Sequence, residues 1–181
     1  MKKFELTNEF ITNMFGTKLF RIRALVEFGD VEAGELGGYV EKESNLGHDD
    51  NAWVYGNARV YGDALVYDNA RVYDNAWVYG DAQVSGDARV CDDARVCGNG
   101  DYAYAHGFGS VNRTTTFFRL KDGGVGVRCG CFYGTLAQFR DKIRETHGET
   151  KKAQEYLMLA DLMELRFEED ENEVGNRKYV E

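Results

Sequence analysis

The chain contains no proline in 181 residues, and it has only three histidines, two tryptophans and four cysteines. Without proline, tight turns fall to glycine, asparagine and aspartate, which accept left-handed backbone or hydrogen-bond their own main chain. Glycine is plentiful, at 21 positions. Cys91, Cys97, Cys129 and Cys131 form no CxxC pair, and no histidine stands at zinc-finger spacing from them. All four therefore read as reduced, small apolar residues, with Cys129 and Cys131 on one face of a single strand. No apolar run approaches the roughly 18 residues of a membrane span. Met1-Lys2-Lys3-Phe4 is not followed by an apolar signal core. With 31 acidic against 22 basic side chains the formal charge is −9. That balance argues against a general nucleic-acid or membrane-surface binder, while leaving room for a local arginine pocket. The expectation is a cytoplasmic protein without metal or cofactor, and with neither nucleic acid nor membrane as partner.

What the chain does have is a repeat. From Asn51 it reads NAWVYG, NARVYG, DALVYD, NARVYD, NAWVYG, DAQVSG, DARVCD, DARVCG and a degenerate NGDYAY that ends at Tyr104. Position one is Asn or Asp throughout, and position two is Ala until the last unit. Position four is Val eight times and then Tyr102, and position six is Gly or Asp until the last unit. Valine suits a buried strand site, and the alanine two residues earlier points to the same side. The Gly/Asp-Asn/Asp pairs between strands tolerate the positive φ of a tight corner. Each hexad is thus one short strand and one corner. Three hexads close a triangular coil, and nine give three coils over residues 51–104, a left-handed parallel β-helix. Residues eighteen apart then stack at roughly 4.8 Å. This places Trp53, Arg71 and Arg89 in one outward column, Arg59, Trp77 and Arg95 in a second, and Leu65 and Gln83 in a third. The Arg–Trp alternation permits guanidinium–indole stacking. These columns read either as an interface between subunits or as arginine-lined pockets between subunits for an anion.

Residues 1–50 form an N-terminal strand and cap region. Phe20, Ile22, Ala24 and Val26 alternate as one face of a half-buried strand, and residues 34–40 with Leu46 read as an imperfect opening coil over the valine stack. Residues 105–167 read as a small α+β domain, so the fold class is mainly β. Residues 114–120 and 125–132 suggest a hairpin, Thr135 to Gln138 a capping box that opens a helix, and Thr150 the start of a second helix. Residues 168–181 read as an acidic, solvated tail.

The hexads resemble the left-handed β-helix superfamily, which includes acyltransferases, γ-class carbonic anhydrases and sugar-nucleotide enzymes, nearly all homotrimers. The whole chain is similar to small hexapeptide-repeat proteins of phages and prophages. That similarity is carried by residues 34–40, the array, residues 109–118 and residues 129–135. The resemblance implies a homotrimer. An acyltransferase of this class would need one histidine as general base, and His106, just past the array, is the candidate; His48 and His147 read as structural. No histidine lies inside the hexads, so a three-histidine metal site is not expected. A non-catalytic binder would use Ser110, Arg113, Thr114, Thr115, Thr116 and Arg119, with Arg59, Arg95 and Trp77 at the subunit contacts. Backbone N–H groups, hydroxyls and guanidiniums of this kind suit phosphate. The expected ligand is an anionic nucleotide, such as an ADP-ribose-type or cyclic nucleotide made as a host defence signal. A structural or host-protein-binding module is the third class.

Overall fold

A computed structural model of the chain describes residues 2–109 and 111–168. Eight hexads fold as eight two-residue strands, β4 (Trp53–Val54), β5 (Arg59–Val60), β6 (Leu65–Val66), β7 (Arg71–Val72), β8 (Trp77–Val78), β9 (Gln83–Val84), β10 (Arg89–Val90) and β11 (Arg95–Val96). They pair in parallel at the eighteen-residue interval: β4 with β7 and β7 with β10, β5 with β8 and β8 with β11, and β6 with β9. The three faces form a β-solenoid. All eight hexad valines are fully buried, and the eight alanines are at most 1% exposed. Removing each valine from water contributes on the order of 1.5 kcal/mol. Position six takes positive φ at Gly56, Gly62, Asp68, Asp74, Gly80, Gly86 and Asp92, which explains why only Gly and Asp occupy it.

The N-terminal segment extends this stack. β1 (Phe4–Thr12) and β2 (Lys18–Ala24) form an antiparallel hairpin, and β2 pairs with β3 (Leu36–Val40). β3 then runs parallel to β5, with Tyr39 opposite Arg59, and Leu46 bridges to Val66. Residues 34–46 therefore form the expected opening coil. Trp53 does not face solvent, contrary to its place in the outward column. It is fully buried, with Phe28 at 5.3 Å and Phe4 at 6.2 Å meeting its ring edge-on. The N-terminal segment supplies the cover that the solenoid pattern alone could not reveal.

Past Val96 the expected ninth hexad does not form a strand of the solenoid. Gly98 is extended (φ −159), residues Asn99–Asp101 make a 3-10 turn, and Tyr102 begins an antiparallel sheet. The unit has Gly100 where alanine should be and Tyr104 where the corner residue should be, so it has neither the small inward side chain nor the corner. The sheet is β12 (Tyr102–Phe108), β13 (Arg113–Arg119), β14 (Val125–Cys129) and β15 (Phe132–Thr135), paired in that order. It has four strands rather than the two of the expected hairpin. Residues 125–132 are split because Gly130 takes φ +60 and turns the chain between Cys129 and Cys131. Thr135 and Thr150 cap α1 (Leu136–His147) and α2 (Lys151–Phe167), and the Thr135–Gln138 capping box is present. Phe117, Val127, Phe139, Ile143, Tyr156, Met163 and Phe167 form the core between the sheet and the helices. Apart from Glu168, the acidic tail lies outside the described residues.

Both ends of the solenoid are closed by hydrogen bonds that replace a missing coil. At the N-terminal end Lys3 Nζ donates to the Ala52 carbonyl (2.8 Å), and Asn45 Nδ2 donates to that of Ala64 (2.8 Å). At the C-terminal end the N–H groups of Gln83, Arg89 and Cys97 donate to Asn99 Oδ1 (2.8 Å), Thr116 Oγ1 (2.9 Å) and Asp101 Oδ2 (2.9 Å). Lys121 N–H donates to the Asp93 carbonyl at 3.0 Å. An open ladder edge would otherwise leave backbone groups unpaired and ready to template aggregation.

Candidate functional site

One corner of the solenoid carries a polar ladder. Asn51, Asn69 and Asp87 occupy hexad position one at successive coils; Asn51 Nδ2 donates to Asn69 Oδ1 (3.1 Å) and Asn69 Nδ2 to Asp87 Oδ1 (3.3 Å). The other Asp87 oxygen lies 3.9 Å from His106 Nδ1, which is 2.8 Å from Thr114 Oγ1. β12 and the start of β13 thus stand over the top of this ladder. Between them and the solenoid face lies a cleft of about 590 Å³, lined by the ladder and by Arg71, Arg89, His106, Arg113 and Thr114 among others.

Three guanidiniums border the cleft against one carboxylate of the ladder. Arg71 is held by Asp30 (2.8 Å), which also accepts from the Tyr55 hydroxyl (3.2 Å). The side chains of Arg89 and Arg113 have no hydrogen-bond or ion-pair partner among the described residues, and both are exposed. In a chain of net charge −9, two uncommitted guanidiniums facing one hollow form a local positive field suited to an anion.

A smaller hollow of about 270 Å³ adjoins it and shares Arg113. Its wall is apolar and aromatic, with Phe132, Phe139, Ile143 and Tyr156, and Cys129, Cys131 and His147 also border it. Burial pushes the Tyr156 phenol up to about 12, with the nearby Cys129 thiol adding to the rise. His147, at the end of α1, stacks on Tyr156 at 6.0 Å and 20°.

The residues picked out in the sequence divide among several places. Arg113, Thr114 and His106 meet at the cleft, and Ser110 lies outside the described residues. Thr115 and Thr116 are buried, their hydroxyls engaged with Cys129 Sγ (3.2 Å) and the Arg89 N–H. Alternation along β13 sends Thr115 toward the helix-side core and Thr116 toward the end of the solenoid, and both faces of the strand are covered. Arg119 is also buried, donating to the Gly123 carbonyl (3.1 Å) and lying over the Phe167 ring. Arg59 and Arg95 sandwich Trp77 at 4.9 and 4.2 Å on a different face, and Arg95 also donates to the Ala94 carbonyl at 2.8 Å. In the sequence, Asn51, Asn69 and Asp87 do not stand out as site residues, and Arg71 and Arg89 appear only in an outward column that reads as an interface or an anion pocket. The eighteen-residue stacking rule, applied to hexad position one, would have found the ladder. His48 stacks on Phe4 at 4.6 Å and accepts from the Lys3 N–H, a structural role. The four cysteines are unbridged; Cys91 is buried and Cys131 exposed. Among the described residues no cluster of three or more His, Cys, Asp or Glu could hold a metal ion, and no helix is long and apolar enough to cross a membrane.

Comparison with known proteins agrees with the fold. Residues 52–68, 64–80 and 82–98 are each similar to the YdcK beta solenoid repeat family model. No curated protein matches the chain. The chain is a β-solenoid repeat protein, a description that carries architecture and no activity.

Proposed function

We propose that this chain is a non-catalytic, homotrimeric binding protein that sequesters a phosphate-bearing, nucleotide-derived small molecule. The observation that carries the reading is the pair of uncommitted guanidiniums, Arg89 and Arg113, facing the cleft over the Asn51–Asn69–Asp87 ladder. Charge-assisted bonds to phosphate from two arginines supply affinity, and the Asn51 and Asn69 amides and the Thr114 hydroxyl supply neutral polar partners. The resemblance to phage-type hexapeptide proteins makes a host defence nucleotide the candidate ligand and a trimer the candidate assembly. Calorimetric titration with pyrophosphate, ADP-ribose and cyclic nucleotides checks the binding, and light scattering at three times the chain mass checks the assembly. Arg113→Ala should weaken binding about ten-fold or more, the loss expected for one charged hydrogen bond. Absence of heat with every anion sinks the proposal.

A second reading rests on His106. Its position beside Asp87 and Thr114 fits a general base whose ring is oriented by a carboxylate, as an acyltransferase requires. That reading predicts coenzyme A binding and turnover lost in His106→Ala. Binding of anions without coenzyme A affinity decides for sequestration.

A further inference from the structure

The two hollows are neighbours of opposite character, and one side chain borders both. Arg113 lines the polar cleft and also the apolar hollow. The backbone is shaped to leave it there. A side chain at Gly130 would overlap the Arg113 guanidinium, and one at Gly109 would overlap the Tyr156 hydroxyl. The hollow's floor is a set of rings held by one another, with Phe132 at 5.5 Å and Tyr156 at 5.8 Å from Phe139. Ile143 closes it from α1, and His147 stacks on the Tyr156 ring. An aromatic floor beside an arginine accepts a planar ring by stacking, because every base presents a π-face. A volume of about 270 Å³ has room for one base.

We infer that the apolar hollow is a ring subsite. Resting on the reading of the larger cleft as an anion site, it assigns the ligand two parts, a phosphate between Arg89 and Arg113 and a planar heteroaromatic base against Phe132, beside the stacked His147–Tyr156 pair. Arg113 is the hinge of recognition, reaching phosphate on one side and facing the base on the other. This makes the preferred ligands nucleotides rather than sugar phosphates or inorganic phosphates of equal charge.

The test compares AMP with ribose 5-phosphate, which has the phosphate and sugar but no base, by calorimetry and by NMR. AMP should bind about ten-fold or more tightly, as stacking on one base supplies. Only AMP should move the ring resonances of His147 and Tyr156. Thr146 is exposed on α1 at the rim of the hollow, so Thr146→Trp fills the subsite without touching the cleft. That variant should lose the AMP preference and bind ribose 5-phosphate unchanged. Equal binding of the two ligands to the parent chain overturns the ring subsite and leaves the anion site standing. An AMP preference that survives Thr146→Trp also overturns it. Binding of neither ligand overturns the anion site, and the ring subsite falls with it.

Discussion

Position six of the hexad meets two demands, a positive φ and clearance for the coil above, and the glycines there do not share the second equally. At Gly56 (φ +59) an added Cβ would lie no closer than 3.8 Å to the stacked Asp74 backbone. At Gly80 (φ +64) it would collide with the Cys97 carbonyl oxygen. Gly56→Ala should therefore cost only the left-handed strain, about 1 kcal/mol. Gly80→Ala adds a backbone clash worth roughly a further 1–3 kcal/mol. Gly56→Asp should be close to neutral, because Asp68, Asp74 and Asp92 already hold this conformation at φ +56 to +59. Urea unfolding of the three variants checks the order, and equal losses for both alanine variants would refute the clash. The repeat pattern made the corner legible. Which glycine is irreplaceable was hidden, since the obstacle belongs to a residue seventeen positions later.

The strands of the solenoid are only two residues long, so their stability rests on stacking and on the elements that close each end. Lys3 is one such closure, with its ammonium buried against the carbonyls at the N-terminal end. Burial lowers its pKa to about 8 from 10.5, against a weaker upward pull from Asp50 and Asp49. Between these two values the unfolded chain holds the proton more tightly than the folded one. The Lys3 contribution to stability must then rise with pH across that window and fall as pH drops through 8. The stability difference between the parent chain and Lys3→Met, measured from pH 7 to 10.5, isolates this group from the tyrosines and cysteines that titrate nearby. A difference that is flat or shrinks with pH contradicts the assignment. Among the elements, the capped helices and the hexad strands were readable because their signals are local. β1 was not: a register shift between Leu6 and Phe10 breaks its alternation, and its buried face is set by Trp53 and the opening coil. The split of residues 125–132 also escaped, because Gly130 inside a β-rich run looks like any strand glycine.

Across the whole molecule, the cleft joins the first hexad to a strand some sixty residues later, and Arg89 entered the sequence reading only as part of an outward column. The residues that face it across the cleft could not be read because they depend on where the chain returns after the last coil. That return is fixed by counting. Each hexad advances the chain by one face, and three restore the starting face, as the pairing of Trp53 with Arg71 and Arg71 with Arg89 records. The number of hexads, taken modulo three, therefore sets the rotational phase between the N-terminal cap and everything after it. Duplicating residues 57–74 adds a full coil and keeps Arg71 beside Asp30 and Asn69 above Asn51. Duplicating residues 57–62 alone brings Leu65 beside Asp30 and breaks both contacts. The eighteen-residue variant should melt at or above the parent temperature, the six-residue variant below it, and the reverse order would refute the phase rule. Such a solenoid works as a screw thread: it can change length in whole turns without disturbing what it joins, and any fractional turn points its two ends in different directions.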